Sequence, residues 1–349
     1  MGGKTFFHVN SGVDLINVGC GFNHKIGVFE RIRLSLTINK DSRDTKRDII
    51  RDRLRAERLR KHLSTFKPDI VIAYSEAVTR VIKLYCDAKI PVITMFHLNP
   101  NNLLSNSTKQ TKAVLSKSEM IQVLLPNYVD DVRVCLGSNN IVCIPNSVPQ
   151  YDLPNDIEQK RDNIIIYPAR IDKGKRQHML IEAFSSIAKD FPDWKVEFWG
   201  DTTVDARYYE TLLKQVDSLG MSKRVLFKDE TNNIFSELIR AKICAFPSES
   251  EGFSLAMTEA MSSGLPVVAF SCCKFAKSII QDKVSGYLCD NNIESFSKAL
   301  ATIMASENER MKMGNAAKKA VYDYSPNIVW SKWERLMEKV LKCSRCSNQ

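Results

Sequence analysis

In the stretch ESEGFSLAMTEAMSSGLPVVAF, Glu249 to Phe270, two carboxylates, Glu251 and Glu259, stand on either side of a small-residue turn and the start of a short amphipathic helix. A helix N-terminus itself prefers an anion, because its first N–H groups are unpaired and carry the positive end of the peptide dipoles. Gly252 lets backbone come close to a ligand, and the N–H groups of Gly252, Phe253 and Ser254 are placed to meet phosphate. Glu259 follows Ser254 by five residues, about 7.5 Å along a helix axis. A ribose joined to a phosphate at the helix start lies that far away, and a carboxylate accepts two hydroxyl hydrogen bonds. Glu251, ahead of the turn, faces whatever lies beyond the phosphates, and a sugar fits there. Upstream, YPARIDKGKRQ sets Arg170 and Lys175 just after a strand. Two fixed cations there can offset a diphosphate leaving group as its charge develops, without a metal. Taken singly, each residue has a plain role: a surface helical carboxylate, a helix-dipole partner, two solvated loop charges. Their combination is what points to nucleotide chemistry.

Other suggestive stretches lack the spacing their chemistry needs. MGGKT has neither the GxxxxGK spacing nor an upstream strand, and GCGFNH (Gly19 to His24) has histidine where a dinucleotide fingerprint needs its third glycine. There is no HExxH and no Asp-x-Asp pair, and the single CxxC, Cys343 and Cys346, lacks a second pair for zinc. No metal site and no cofactor are expected, so a bound anion is expected to be neutralised by the protein itself.

The elements that must position these residues fall into two sets. A chain of 349 residues exceeds one ordinary core, so two domains are expected. In the first half, strand-like runs VDLINVG, PDIVIAY, IPVITMFH, IQVLLP and IVCIPNSV alternate with helical segments, among them a basic one, Glu76 to Cys86, and one around Thr111 to Glu119. After the polar segment PQYDLPNDIEQKRD the pattern restarts: NIIIYPARI, a helix from Gln177 to Lys189, WKVEFWGD, a helix around Tyr208 to Leu219, RVLFKD, a helix around Asn233 to Ala241, ICAFPS, the acidic stretch, LPVVAF and SGYLCD. Strands alternating with helices predict parallel sheets covered on both faces. The predicted division is an N-terminal Rossmann-like domain over 1–148, a linker over 149–162 and a C-terminal Rossmann-like domain over 163–325. A last helix from about Pro326 to Lys342, within 326–349, carries Trp330 and Trp333 and is expected to pack back across the interface. Two doubly wound domains bring their strand ends to a shared cleft, where ligands of such sheets bind.

The net charge of +10 is uneven: residues 1–150 hold 22 Lys and Arg against 13 Asp and Glu. Much of the excess lies between Arg31 and Lys67, where Ile50, Leu54, Leu59, Leu63 and Phe66 recur at near-helical spacing. Such a helix offers a contact for an anionic membrane surface, or simply a solvated face on its own domain. Few aromatics interleave with the basic run, so no nucleic-acid partner is expected. The cysteines lie mostly in apolar runs, as at Cys143, Cys244, Cys272 and Cys273, which suits a reducing compartment. No apolar run reaches the ~18 residues of a membrane span, and no signal peptide is read. A cytoplasmic protein, peripheral on the inner face of the membrane, is expected.

At this point the sequence resembles the retaining GT-B glycosyltransferases, the large E-x7-E family (glycosyltransferase family 4-like) that builds bacterial polysaccharides and glycolipids. The resemblance runs from about Leu63 to Tyr324 and is carried by YPARIDKGKRQHMLIEAF, VEFWGD, VLFKD and PSESEGFSLAMTEAMSSGLPVVA, in which Glu251 and Glu259 form the E-x7-E pair. It implies two Rossmann-like domains facing a cleft and a donor that is a UDP- or GDP-sugar. Arg170 and Lys175 would then contact the diphosphate, Glu259 the ribose and Glu251 the transferred sugar, with the amides of Phe253, Ser254 and Leu255 nearby. Phe227 and Lys228 would border the nucleobase. His97 in TMFHLNP falls where the family often has a histidine beside the donor sugar. The implied reaction is metal-independent hexosyl transfer with retention, to a glycan or lipid-linked acceptor, the departing phosphate helping to deprotonate the acceptor hydroxyl. The family also implies an opening strand, Gly-rich turn and helix ahead of VDLINVG; none is read here, so the first domain is taken as shortened. A catalytically inactive nucleotide-sugar-binding relative, acting as an assembly partner, is the alternative reading.

Overall fold

The computed structural model describes residues 12–13, 40–86, 89–154 and 157–346. VDLINVG and the proposed missing first unit lie outside the described residues, apart from Val13. One compact unit runs to Cys143 and takes in the chain from Arg335; the other is Ile144–Glu334.

In the first unit the charged segment forms one long helix, α1 (Lys40–Phe66). Its inward face keeps Leu59 and Leu63 of the apolar row read from the sequence, whereas Leu54 and Phe66 are exposed. Buried Asp52 and Ala56 complete that stripe, with the partly buried Leu59 and Leu63 packed on Val81, Cys86, Ile82 and Val92. Those positions lie at helical intervals, and Asp52 belongs among them because Arg80 meets it with Nε 2.5 Å from Oδ2. Beyond α1 the chain alternates β1 (Val71–Ala73), α2 (Glu76–Tyr85), β2 (Val92–Phe96), α3 (Pro100–Ser105), α4 (Lys109–Leu115), β3 (Met120–Val123), α5 (Pro126–Leu136) and β4 (Ile141–Cys143). The four strands are parallel in the order β1-β2-β3-β4. α4 ends at Leu115, earlier than the helix expected to reach Glu119, because that carboxylate serves elsewhere: Glu119 pairs with Lys83 and accepts the Val92 N–H at 3.1 Å.

The second unit contains β5 (Ile164–Pro168), α6 (Gln177–Ile187), β6 (Lys195–Trp199), α7 (Ala206–Ser218), β7 (Val225–Lys228), α8 (Ile234–Arg240), β8 (Ile243–Phe246), α9 (Leu255–Ser262), β9 (Val267–Phe270), α10 (Lys274–Ile279), β10 (Gly286–Cys289), α11 (Ile293–Ala305) and α12 (Glu307–Ala320). Its six strands are parallel, in the order β10-β9-β8-β5-β6-β7. β5, β8 and β9 are buried throughout, as strands covered on both faces must be. α9 begins at the Ser254 cap, whose Oγ accepts the Met257 N–H at 3.3 Å, and closes at Gly264 with φ +72°. Arg161, within the segment read as a linker, is buried; its guanidinium donates to the carbonyls of Leu238 and Ala241 at 2.9 and 2.6 Å and of Ser263 at 2.6 Å. It thereby satisfies carbonyls left open at the ends of α8 and α9. The last helix, α13 (Pro326–Cys346), buries Val329, Trp333, Leu336 and Val340 in one stripe, while Trp330 is exposed.

Candidate functional site

The strand order reverses between β5 and β8: the chain leaves β5 toward β6 and β7, then returns to pair on the other side of β5. At such a reversal the loops leaving the two strands turn to opposite faces and open a crevice at their carboxyl ends. Those loops are 169–176 and 247–254, the two that hold Arg170, Lys175, Glu251 and the Gly252–Ser254 turn.

A buried tyrosine ties the loops together. Tyr167, in β5, donates its hydroxyl proton to the Lys175 carbonyl at 2.9 Å and lies 2.7 Å from the Ser248 hydroxyl. With the tyrosine proton already given, Ser248 is the donor of the second bond. Tyr167 and Ser248 are both fully buried, and the tyrosine ring packs edge-on against Phe246 and Phe198. Burial pushes the phenol well above its ordinary range, so it stays protonated. Within the first loop Asp172 accepts from the Gly174 N–H at 2.9 Å and from Arg170 Nε at 2.6 Å, and Gln177 holds the Arg170 carbonyl at 2.9 Å. The next strand supports the same loop: the Ala169 N–H bonds the Trp199 carbonyl at 2.9 Å. Gly200 allows this approach, for a Cβ there would stand 2.6 Å from the Ala169 carbonyl oxygen.

Across this frame Lys175 Nζ lies 2.6 Å from Glu251 Oε1, with side chains 20% and 11% exposed. Arg176 reaches Glu249 at 2.8 Å. Arg170 is bound to Asp172 and otherwise open, its side chain 63% exposed; the Asp172 hydrogen bond first, and Glu251 further off, raise its pKa. Two cations expected on one diphosphate thus stand on one loop, and the residue expected against the sugar is in contact with one of them. Gly252 and Phe253 follow at the turn, with the Phe253 ring turned onto Phe275 and Tyr324. Leu255 opens α9 and is exposed.

Glu259, on α9, is half-buried; its carbonyl accepts from Ser263, but its carboxylate makes no hydrogen bond or ion pair among the described residues. Burial alone raises its carboxyl pKa. Burial first, and the Glu259 charge second, raise Tyr151, whose ring stacks on Phe235 with centroids 3.7 Å apart. The remaining expected residues lie elsewhere. Phe227 stacks on Phe198 at 5.1 Å and Lys228 stands 6.0 Å over the Trp199 ring, both on β7, two strands from β5. His97 follows β2 in the first unit, stacked on Tyr74 with centroids 5.3 Å apart. Its Nε2 is buried without a hydrogen-bond partner among the described residues, and burial lowers its pKa, so the ring is held neutral.

Sequence reading missed Tyr167, Ser248, Asp172 and Tyr151. Asp172 had a legible signal, the Asp-x-Gly spacing of a local side-chain turn. Tyr167 had none, since it sits in the apolar run IIIYP and its partner is 81 residues away.

Residues 152–320 match the family described as glycosyl transferases group 1. The chain is 28% identical over 202 residues to an uncharacterized glycosyltransferase of Haemophilus influenzae, covering 57% of this chain and 56% of that protein. It is 30% identical over 151 residues to the poly(glycerol-phosphate) alpha-glucosyltransferase of Bacillus subtilis, covering 43% of this chain and 22% of that one. The chain therefore spans about half the length of the first relative and about a fifth of the second. Among solved structures, Anabaena HepE in complex with UDP has a TM-score of 0.71 at 17% identity, over 82% of each chain, a likeness of fold.

Proposed function

We propose that this chain, whose residues 152–320 match the glycosyl transferases group 1 family and whose fold is that of GT-B glycosyltransferases, moves a hexose from a UDP- or GDP-sugar to a glycan or lipid-linked acceptor, with retention and without metal. The observation that carries this reading is Glu259, a half-buried carboxylate without a partner, one and a half turns into the helix that follows the Lys175–Glu251 contact. An ionised carboxylate taken out of water without donors is unfavourable, so such a group is retained where a ligand supplies them. The vicinal hydroxyls of a ribose do so.

On this reading Arg170 and Lys175 receive the diphosphate, joined by the amides of Gly252, Phe253, Ser254 and Leu255 ahead of α9. Glu251, which neutralises Lys175 in the free protein, turns to the hydroxyls of the transferred sugar. Phe227 and Lys228 lie about 10 Å along the sheet from β5, two strand spacings, which suits a base at the far side of the ribose. As the glycosidic bond breaks, negative charge grows on the β-phosphate; fixed cations and amides stabilise it without reorganising, and the phosphate oxygen takes the acceptor proton. His97, neutral by burial, is assigned to the sugar and not to proton removal. The UDP in HepE and the sugar transfer named for the Bacillus relative support the donor and reaction class. Among the described residues no helix is long and apolar enough to cross a membrane, and α1 offers a basic face to a peripheral contact.

The test is to incubate the protein with a panel of UDP- and GDP-sugars and follow released nucleotide and sugar configuration by NMR. Slow release of the α-sugar from an α-linked donor is expected for one donor. Tight nucleotide binding with no turnover on any donor or acceptor would favour the inactive assembly partner, and no nucleotide binding would reject the reading.

A further inference from the structure

Within the first unit a cavity of about 520 Å³ lies between α1, α2 and the stretch from Leu98 to Thr111. It sits at the carboxyl ends of β1 and β2, beside the residue following His97, where ligands of parallel sheets enter. Its wall is cationic: Arg47, Arg51, Arg55 and Arg80 line it against two carboxylates, Asp48 and Glu76. The first three stand at successive i, i+4 positions of α1, about 6 Å apart along the axis, a spacing at which like charges repel and helix stability is lowered.

The acids of the same helix face are held chiefly by Arg80, while Asp52 also pairs with Arg55 at 3.4 Å and Arg47 and Arg51 lie near enough to Asp48 to favour its charged form. Asp52 bonds Arg80 Nε and Nη2 at 2.5 and 3.2 Å, and Asp48 lies 3.1 Å from Nη1, which also donates to Thr111 at 2.6 Å. Arg80 is thereby fixed as the floor of the cavity. Arg51 has its Nε buried without a hydrogen-bond partner among the described residues. Burial also raises the Asp48 carboxyl, against the lowering by Arg80.

We propose that this cavity receives a phosphate group of the acceptor, a polyol or sugar phosphate, bound by Arg47, Arg51 and Arg55 with its free hydroxyl directed toward the His97 end. Planar guanidinium forks match phosphate oxygens in pairs, and a concave site of this size encloses one or two such groups instead of lying flat on a surface. That the phosphate belongs to an acceptor rests on the transferase reading; the binding of phosphate itself does not.

The experiment titrates the full chain with glycerol 1-phosphate, with glycerol and with UDP, in wild type, Arg51→Gln, Arg51→Lys and the Arg47→Gln/Arg55→Gln double variant. Glycerol 1-phosphate is expected to bind wild type at least tenfold more tightly than glycerol. It should lose about tenfold in Arg51→Gln and regain part in Arg51→Lys, with UDP affinity unchanged throughout. Should the variants not fold, ³¹P line broadening of glycerol 1-phosphate by wild type alone, reversed by inorganic phosphate and not by UDP, supports the site. Equal binding of glycerol and glycerol 1-phosphate, or no loss in either variant, overturns it. So does co-sedimentation with phosphatidylglycerol vesicles that Arg51→Gln abolishes and glycerol 1-phosphate fails to compete, since the cavity arginines would then read a bilayer. Loss of UDP binding in wild type would instead count against the donor site.

Discussion

Lys175 Nζ and Glu251 Oε1, 76 residues apart in the chain, meet at 2.6 Å where the strand order of the second sheet reverses. On the proposed function the pair would hold a cation for the diphosphate and an anion for the sugar, each neutralising the other in the free protein. Glu251→Gln removes the carboxylate that competes for Lys175. It should therefore bind UDP at least as tightly as wild type while sugar transfer falls by two or more orders of magnitude. Calorimetry and NMR turnover on one preparation check both. Lys175→Met should do the reverse first, weakening UDP by about tenfold or more through a lost charged hydrogen bond.

Glu259 couples binding to stability. Burial raises its carboxyl, so the fold disfavours the ionised form; that penalty is present above the raised pKa and relieved as pH falls through it. Glu259→Gln should raise the melting temperature of the free protein at pH 7, about 2–4 °C for each kcal/mol regained in a unit of this size. The same change should weaken UDP but leave pyrophosphate affinity unaltered, because only UDP carries the ribose. Equal UDP affinity in wild type and variant would reject the ribose assignment.

Tyr167→Phe tests whether the loops act as one frame. The variant leaves the Lys175 carbonyl and the buried Ser248 hydroxyl without a partner, a loss of about 1–3 kcal/mol. Urea unfolding should register that loss. Ligand titration should show weaker UDP binding although no contacting side chain has changed.

In the first unit, Arg80→Met removes the nearer partner of Asp52, a fully buried carboxylate that keeps only Arg55, at 3.4 Å. Breaking a buried pair from one side costs about 3–5 kcal/mol, so the variant is expected to melt well below wild type. Asp52→Asn in addition should restore part of the loss.

Treatment with EDTA should leave transfer intact, because Arg170 and Lys175 are proposed to meet the diphosphate themselves. Dependence on added metal would oppose that assignment.

Local chemistry made much of this protein legible in its sequence. Alternating apolar runs marked both parallel sheets, and Ser254 and Gly264 announced the ends of α9 because capping and left-handed backbone are decided by single residues and their neighbours. Glu251, Glu259, Arg170 and Lys175 stood out for the same reason, each lying beside a strand end or a helix start. The helices α3, α5, α10, α11 and α12 were not read; α3 and α10 are too short to show a period, whereas α11 carries Phe296, Ala299, Leu300 and Ile303 at legible helical spacing. What only the tertiary structure decided is which residues answer one another. A parallel sheet brings distant loops together at its strand ends, so Lys175 finds Glu251 and Tyr167 finds Ser248 across long separations that no local pattern encodes. The buried stripe of α1 was settled in the same way. Leu54 and Phe66 fit an apolar row as well as Ala56 does, and Asp52 enters the core because Arg80, on another helix, supplies the charge that burial requires.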